Sequence, residues 1–227
     1  MVSNFQKESK MKTINKNLDV LFDNWMSEAV KYGDNNFVCD GIMNGYNDWG
    51  NQLMRIAFIA KDPHYKNINE LTPGVLNGED YREYNIRQMS NGSRFWRNIL
   101  AWSDGILGTP NAPIAFVNIK KEAGGATITN SVLRKYARRY QGFLKAELKE
   151  ILRPNIIVCC GTSGIVMDEI YSDAEFQKMD EEGFVWFDQT NKILLIATHH
   201  PISRISDEQM YNDTVGAYNL FTNYKNR

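Results

Sequence analysis

Short runs of consecutive apolar residues alternate along this chain with longer segments in which apolar residues recur every three or four positions. The short runs are typical of strands buried on both faces, and the longer segments of helices that bury one side. The apolar runs predict four strands, at 53–60, 114–119, 155–160 and 193–198. The helical spacing predicts helices at 17–32, 95–107, 131–152, 161–170 and 206–224. A short extra strand is indicated at 185–187.

The alternation of strand and helix indicates the fold class. This order is typical of α/β proteins with a mostly parallel sheet between helices. We therefore predict a three-layer α/β/α sandwich with a central, mostly parallel four-stranded sheet, formed by one domain over residues 17–227. Residues 1–16 are polar, and we expect a flexible N-terminal segment there. Residues 61–92 lack periodicity and contain several Pro and Gly, and so long a loop in a compact domain is usually functional.

Composition narrows the class of protein. Hydrophobic residues make up 43%, charged residues 23%, and the net charge is -1, which is an ordinary globular balance. This net charge argues against a pure DNA-coating role but does not exclude a local basic groove. Three cysteines do not make a disulfide framework, and no apolar run approaches the ~20 residues of a membrane span. We expect a cytoplasmic monomer that has no membrane association and no cofactor.

Polar residues follow each of the four predicted strands. In parallel α/β sheets, ligands bind beyond the carboxyl ends of the strands, so groups from distant positions meet at one edge. The segments at these strand ends are Lys61-Asp62-Pro63-His64-Tyr65, Asn118, Gly161-Thr162-Ser163-Gly164 and His199-His200-Pro201. This edge is where we expect the functional site.

Three of these residues have side chains suited to catalysis or base recognition. Asp62, held by Pro63, could orient or activate a water, although a turn Asp is the ordinary alternative. His200 could stabilise a developing negative charge, or it could be a capping or core histidine. Asn118 offers a donor and an acceptor suited to the edge of a base, or it satisfies a turn.

Other candidates could contact nucleic acid. Phe95 and Trp96 lie between two arginines, and such aromatics stack on bases or belong to the core, where we expect at least one of them. The turn at Gly161-Thr162-Ser163-Gly164 could hold a phosphate on its amides or be only a tight turn. Basic residues of helix 131–152 are typical of a solvated face. These are Arg134, Lys135, Arg138, Arg139 and Lys145. No ligand set accompanies His199 and His200, so we predict no metal.

The order of these motifs resembles the uracil-DNA glycosylase superfamily. Ala60-Lys61-Asp62-Pro63-His64-Tyr65 is similar to its Gly-Gln-Asp-Pro-Tyr-His motif, with the last two residues exchanged. Phe116-Val117-Asn118 resembles its Leu-Leu-Asn strand end, and His200-Pro201-Ile202-Ser203 resembles its His-Pro-Ser motif. Ser93-Arg94-Phe95-Trp96 is similar to the Asn-Arg-Phe-Trp segment of the mismatch-specific branch. The resemblance covers roughly residues 50–215.

The resemblance implies a role for each matching residue. Asp62 would position or activate the attacking water, and His200 would stabilise negative charge on the leaving base. The base itself would be bound by Lys61, His64, Tyr65, Phe95 and Asn118. DNA would be held by Ser163, Ile202, Ser203 and Arg204, with Ile202, Arg204 or Ile205 as the residue inserted beside the flipped nucleotide. The implied activity is excision of a damaged base, most of all uracil, from DNA.

Two other functions are compatible with the same motifs. One is a glycosylase-fold protein without catalytic activity that binds DNA or a partner through the pocket. The other is an unrelated α/β hydrolase that acts on a small nucleoside or phosphate ester. Cleavage of uracil-containing oligonucleotides, binding without cleavage, and turnover of free nucleosides distinguish the three.

Overall fold

Four parallel strands form the centre of the molecule. The computed structural model describes residues 4–34, 37–43, 46–63, 89, 91–123 and 127–225. Its sheet has seven strands in the order β1-β3-β2-β4-β7-β6-β5. They are β1 Gly41–Met43, β2 Ile56–Ala60, β3 Ile114–Asn118, β4 Ile156–Cys160, β5 Phe176–Lys178, β6 Val185–Asp188 and β7 Ile193–Thr198. The central group β3-β2-β4-β7 is parallel and corresponds to the four predicted strands.

The prediction of a four-stranded sheet was too narrow, because antiparallel strands extend both edges. β1 pairs with β3 on one side, while β6 pairs with β7 and β5 with β6 on the other. The extra strand expected at 185–187 is β6. β1 and β5 have three residues each, and Gln177 and Lys178 of β5 are exposed. Such short edge strands contain no apolar run that a sequence pattern could reveal.

Seven α-helices accompany the sheet in the described ranges. They are α1 Asn4–Val30, α2 Tyr46–Trp49, α3 Arg94–Leu107, α4 Asn130–Arg139, α5 Gln141–Lys145, α6 Ser163–Ile165 and α7 Asp207–Lys225. π-Helical segments Ala146–Leu152 and Val166–Ile170 continue α5 and α6. The single helix predicted at 131–152 is therefore divided, with the break at Tyr140. α1 begins at Asn4, well before the predicted start at residue 17, and Ile14 packs against the core.

Both faces of the sheet are covered by helices, which confirms the α/β sandwich. In β2, Ala57 and Ile59 pack on the side of α1, α4 and α5, while Phe58 and Ala60 pack on the side of α3 and α7. Every residue of β2, β3 and β4 is buried. Burial on both faces explains why these strands form continuous apolar runs in the sequence. Among the described helices, none has the length and apolar character needed to cross a membrane.

α3 carries the aromatic candidates to the carboxyl edge of the sheet. It connects β2 to β3, which are parallel, so its first turn lies near the end where β2 stops. Ser93 caps the helix by accepting a hydrogen bond from the Trp96 amide at 3.4 Å. Trp96, Ile99 and Ile106 are buried at helical spacing, which fixes the rotation of α3 against the sheet.

Candidate functional site

The ends of the parallel strands lie level with one another. Ala60 is the register partner of Asn118, and Cys160 is the partner of Thr198. The pairing continues one step further, because the Lys61 carbonyl accepts a hydrogen bond from the Lys120 amide at 2.9 Å. Lys61 and the half-buried Asp62 therefore leave the sheet beside the end of β3. This level edge is the candidate site.

Phe95 and His200 meet at this edge. Their ring centroids are 5.7 Å apart with an interplanar angle of 53°. Phe95 is half-buried and also packs edge-on against Phe116, with centroids 5.6 Å apart. Trp96 is buried and packs on the same Phe116 at 5.0 Å. The expectation that one of the two aromatics belongs to the core is confirmed, and Phe95 is the one that contacts the candidate catalytic histidine.

The two adjacent histidines face different surroundings. His199 Nε2 lies 3.5 Å from the Asp213 carboxylate on α7, whereas His200 faces Phe95. The pKa of His200 is lowered by its burial and, secondly, by the positive charge of Lys61. His200 Nδ1 accepts a hydrogen bond from the Ile202 amide at 3.4 Å. A neutral imidazole that accepts at Nδ1 carries its proton on Nε2, so His200 is a hydrogen-bond donor at that atom.

Lys61 extends across the end of β4. Its Cε lies 3.9 Å from where a Cβ at Gly161 would be, and its Nζ donates to Asn130 Oδ1 at 3.2 Å. Gly161 has a φ of 72°, and its amide donates to the Thr198 carbonyl at 2.9 Å. The Gly161 turn thus joins the ends of β4 and β7 beside the lysine side chain. Ser163 follows, half-buried, as the first residue of α6.

Asn118 is held by a carboxylate that the sequence-based prediction did not include. Its backbone and side-chain nitrogens both donate to Asp40 Oδ2, at 2.6 and 3.1 Å. Asn118 is only 1% exposed. One edge of its amide is therefore already committed within the protein. Asp40 lies immediately before β1, and because β1 runs antiparallel to β3, this places Asp40 at the same edge.

Asp40 belongs to a buried charge cluster with Lys121 and Glu147, all three 0% exposed. Lys121 Nζ lies 2.5 Å from Asp40 Oδ1 and 3.0 Å from Glu147 Oε1. The pKa of Glu147 is raised to about 8, first by its burial; Lys121 opposes this shift and Asp40 adds to it. The pKa of Lys121 is raised, because the two carboxylates outweigh the opposing effect of burial. Burial thus favours the neutral form of Glu147, and the shortest charge contact of the cluster is the one between Lys121 and Asp40.

A sequence signal for this cluster exists in the helical pattern. Glu147 precedes Leu148 and follows Leu144 by three positions, and all three side chains are buried. A glutamate on the apolar face of a helix needs a buried partner. The partners are distant along the chain, with Lys121 and Asp40 separated by 81 positions. The pattern could have indicated that Glu147 is paired, but not with which residues.

The arginines of α4 are engaged in contacts with other parts of the protein. Arg134 and Arg138 lie 2.7 and 2.9 Å from Glu169, which belongs to the π-helical segment that continues α6. Arg139 lies over the Tyr32 ring at 4.7 Å. These contacts agree with the interpretation of a solvated face rather than a binding patch.

The remaining predicted site residues lie either in the loop that follows His200 or outside the described residues. Ile202 is 54% exposed, Ser203 is half-buried, and Arg204 is exposed, all in the loop that follows His200. His64 and Tyr65 lie outside the described residues. Across the part of the chain that the structure describes, no group of three or more His, Cys, Asp or Glu is placed to hold a metal ion.

Comparison of the chain with models of known protein families and with curated proteins found no match. The strand-end edge combines an aromatic ring from α3, an imidazole that follows β7, and the adjacent lysine and carboxylate that follow β2.

Proposed function

We propose that this protein is a monofunctional DNA glycosylase that hydrolyses the N-glycosidic bond of a flipped damaged base, most of all uracil. The observation that carries the proposal is the contact between Phe95 and His200 at the edge where Asp62 emerges. A planar base stacked on Phe95 would present its edge to the imidazole. The carboxylate would then lie on the sugar side of the scissile bond.

The charges of these groups suit glycosidic cleavage. Breaking the bond leaves the electron pair on the base, while the sugar carbon becomes positive and accepts a water oxygen. Asp62 would orient that water and receive its proton, and such general-base help contributes about 10²–10⁴ in rate. His200 Nε2–H would donate to the base oxygen that becomes negative. One donor of this kind contributes about 10²–10³.

Asn118 and Lys61 would complete base recognition. Because Asp40 accepts from both nitrogens of Asn118, the side-chain oxygen of Asn118 is the atom left for the base. That oxygen accepts an N–H, which uracil presents at N3. Lys61 brings a positive charge close enough to lower the pKa of His200, and the same charge would favour a departing anionic base. His64 and Tyr65 stay candidates for the part of the pocket that follows Asp62.

The loop after His200 would contact DNA. Ile202 or Arg204 would enter the space beside the flipped nucleotide, while Ser203 and Ser163 would meet phosphates. Flipping costs a few kcal/mol, and stacking on an aromatic returns ~1–3 kcal/mol per base. We propose a cytoplasmic monomer whose partner is DNA that contains uracil or another damaged base.

A cleavage assay tests the proposal. Single- and double-stranded oligonucleotides that contain uracil, hypoxanthine or a G·T pair are incubated with the protein, and abasic sites are counted. We expect excision of uracil, its loss in Asp62→Asn and a strong decrease in His200→Ala. His199→Ala is the matched control, because that histidine faces α7. The absence of abasic product from every substrate would contradict the proposal.

The same assay separates the alternatives. Tight binding of uracil-containing DNA without cleavage, unchanged in Asp62→Ala, would favour a non-catalytic binding protein. Turnover of free nucleosides but not of oligonucleotides would favour a small-nucleoside hydrolase.

A further inference from the structure

A polar network joins α3 to the segment 200–206, which we call the His200 loop. Its centre is Asp207, the first residue of α7. Asp207 Oδ1 accepts hydrogen bonds from Arg94 Nε at 2.7 Å and Asn98 Nδ2 at 3.1 Å. Asp207 Oδ2 lies 3.3 Å from a guanidinium nitrogen of Arg97. Three donors from the first two turns of α3 thus converge on one carboxylate.

Two of these donors also hold the backbone of the His200 loop. Asn98 Nδ2 donates to the Pro201 carbonyl at 2.8 Å, and a guanidinium nitrogen of Arg94 donates to the Ile205 carbonyl at 2.6 Å. Within the loop, the Ser203 amide donates to the His200 carbonyl at 2.8 Å. Both ends of the loop are therefore attached to the helix that carries Phe95.

The network is not explained by the needs of α7 alone. A carboxylate at the start of a helix favours the helix through its dipole. The cap of α7 is already provided by Ser206, whose hydroxyl accepts from the Gln209 amide at 3.1 Å. Asn98 is only 4% exposed and directs its amide away from its own helix, toward Pro201. Its contacts serve the relation between α3 and the loop.

We propose that Asp207, Arg94 and Asn98 are positioning residues that set the place of His200 against Phe95. They do not touch the base. We call these three residues the clamp. Phe95 follows Arg94 directly and His200 precedes Pro201 directly, so the clamp acts one residue away from each side of the pocket. The catalytic part of this proposal rests on the glycosylase function, whereas the placement of His200 does not.

The charge of Asp207 does not change over the pH range of an ordinary assay. The pKa of Asp207 is lowered to about 2, first by its hydrogen bond with Arg94 and then by that with Asn98. Asp207→Asn keeps the shape of the side chain and removes the charge. Asn98→Ala removes the donor to Pro201 without changing charge. Arg97→Met is the matched control, because Arg97 binds Asp207 but is not bonded to the His200 loop.

The first measurement is a double-mutant cycle on single-turnover excision of uracil. A misplacement of about 1 Å can cost on the order of 10²-fold, so we expect Asp207→Asn to slow excision about 10–100-fold. Arg97→Met should stay within about 3-fold. In a His200→Ala background, Asp207→Asn should cost little, because a residue that acts through His200 has nothing left to position. An equal loss in both backgrounds would overturn the proposal.

The second measurement does not depend on activity. NMR titration follows the His200 imidazole, assigned by comparison with His199→Ala and His200→Ala. Release of the loop exposes the ring, so its pKa should rise toward the ordinary value in Asp207→Asn and Asn98→Ala, but not in Arg97→Met. Loss of the Asp207 charge alone would lower that pKa, because a nearby negative charge favours imidazolium, so the sign separates the two effects.

The two measurements separate the two proposals. An inactive protein whose His200 pKa rises in Asp207→Asn contradicts the glycosylase and supports the clamp. An unchanged or lower His200 pKa in both clamp variants overturns the clamp, whatever the activity.

Discussion

One carboxylate oxygen of Asp40 accepts hydrogen bonds from both nitrogens of Asn118, while its other oxygen lies 2.5 Å from Lys121. The strand end that faces the candidate site is thereby connected to a charge cluster inside the protein. Because none of the three cluster residues is exposed, their interactions are little screened by water. The cluster should therefore dominate both the stability and the pH response of this part of the fold.

Removal of Asp40 should destabilise the protein strongly. In Asp40→Ala, Lys121 loses its shorter ion pair and Asn118 loses an acceptor, and breaking a buried pair costs about 3–5 kcal/mol. Urea denaturation measures the change in the free energy of unfolding. Lys149→Ala is the control, because it removes a partly exposed pair with Asp173 at 2.6 Å, and such pairs contribute about 0–1 kcal/mol. Equal losses in the two variants would contradict the role given to the cluster.

Glu147→Gln should make stability less dependent on pH. The pKa of Glu147 is about 8 in the folded protein and near 4.5 when unfolded, so the unfolded chain loses this proton first as the pH rises. Stability from Glu147 is therefore present at low pH and is lost between about pH 4.5 and 8. Glutamine does not titrate, so we expect the free energy of unfolding of the variant to rise relative to that of the native protein across that window.

The difference between Glu147→Gln and the native protein should be larger at pH 9 than at pH 5, because the native protein alone loses stability through the titration of Glu147. Urea denaturation at pH 5, 7 and 9 gives the curve. Glu169→Gln provides the contrast. The pKa of Glu169 is lowered, first by Arg138, so Glu169→Gln should lower the free energy of unfolding at pH values above that pKa. Identical pH slopes for the native protein and Glu147→Gln would show that Glu147 is not protonated at neutral pH.

Lys61→Met should raise the pKa of His200. A positive charge disfavours imidazolium, and Lys61 is the second cause of the low pKa after burial, so its removal leaves burial as the remaining cause. The His200 pKa should stay below 6.5 in the variant and be lower still in the native protein. NMR titration of the imidazole tests this. Lys120→Met serves as the control, since Lys120 is paired with Glu122 at 3.0 Å.

The neighbouring aromatics should respond differently to truncation. Trp96→Ala removes a buried ring and should cost about 3–5 kcal/mol of stability. Phe95→Ala removes a half-buried ring and should cost less stability, but it should weaken binding of uracil-containing DNA by about 1–3 kcal/mol. Thermal unfolding and a binding titration with a non-cleavable uracil analogue separate the two. A Phe95→Ala protein with native affinity would remove Phe95 from the base pocket.

The sequence revealed the centre of the fold because the central strands are buried on both faces. β7 was predicted at its exact bounds, and β2, β3 and β4 were predicted to within three residues at either end. The edge strands were missed because strands of three residues leave no periodic signal. The break of the predicted helix at Tyr140 was also missed, since the residues on both sides keep the apolar spacing.

The sequence predicted those site residues whose position follows from the order of strands and helices. Asn118 ends a strand, Asp62 and His200 lie two residues beyond strand ends, and Phe95 lies in the first turn of a helix. Parallel topology brings such positions to one edge. Asp40 and the clamp at Asp207 were not predictable in the same way. Their meaning depends on partners that folding brings together, such as Asp207 with Arg94, which are 113 positions apart.

The rings of Phe22 and Trp25 on α1 lie 5.4 and 5.3 Å from the ammonium of Lys121. By covering that ammonium they contribute to the burial of the cluster, and burial is the largest cause that raises the pKa of Glu147. The first helix therefore contributes to the weak acidity of a carboxyl group more than a hundred positions away in the sequence. It does so without contributing a charged side chain of its own to the cluster.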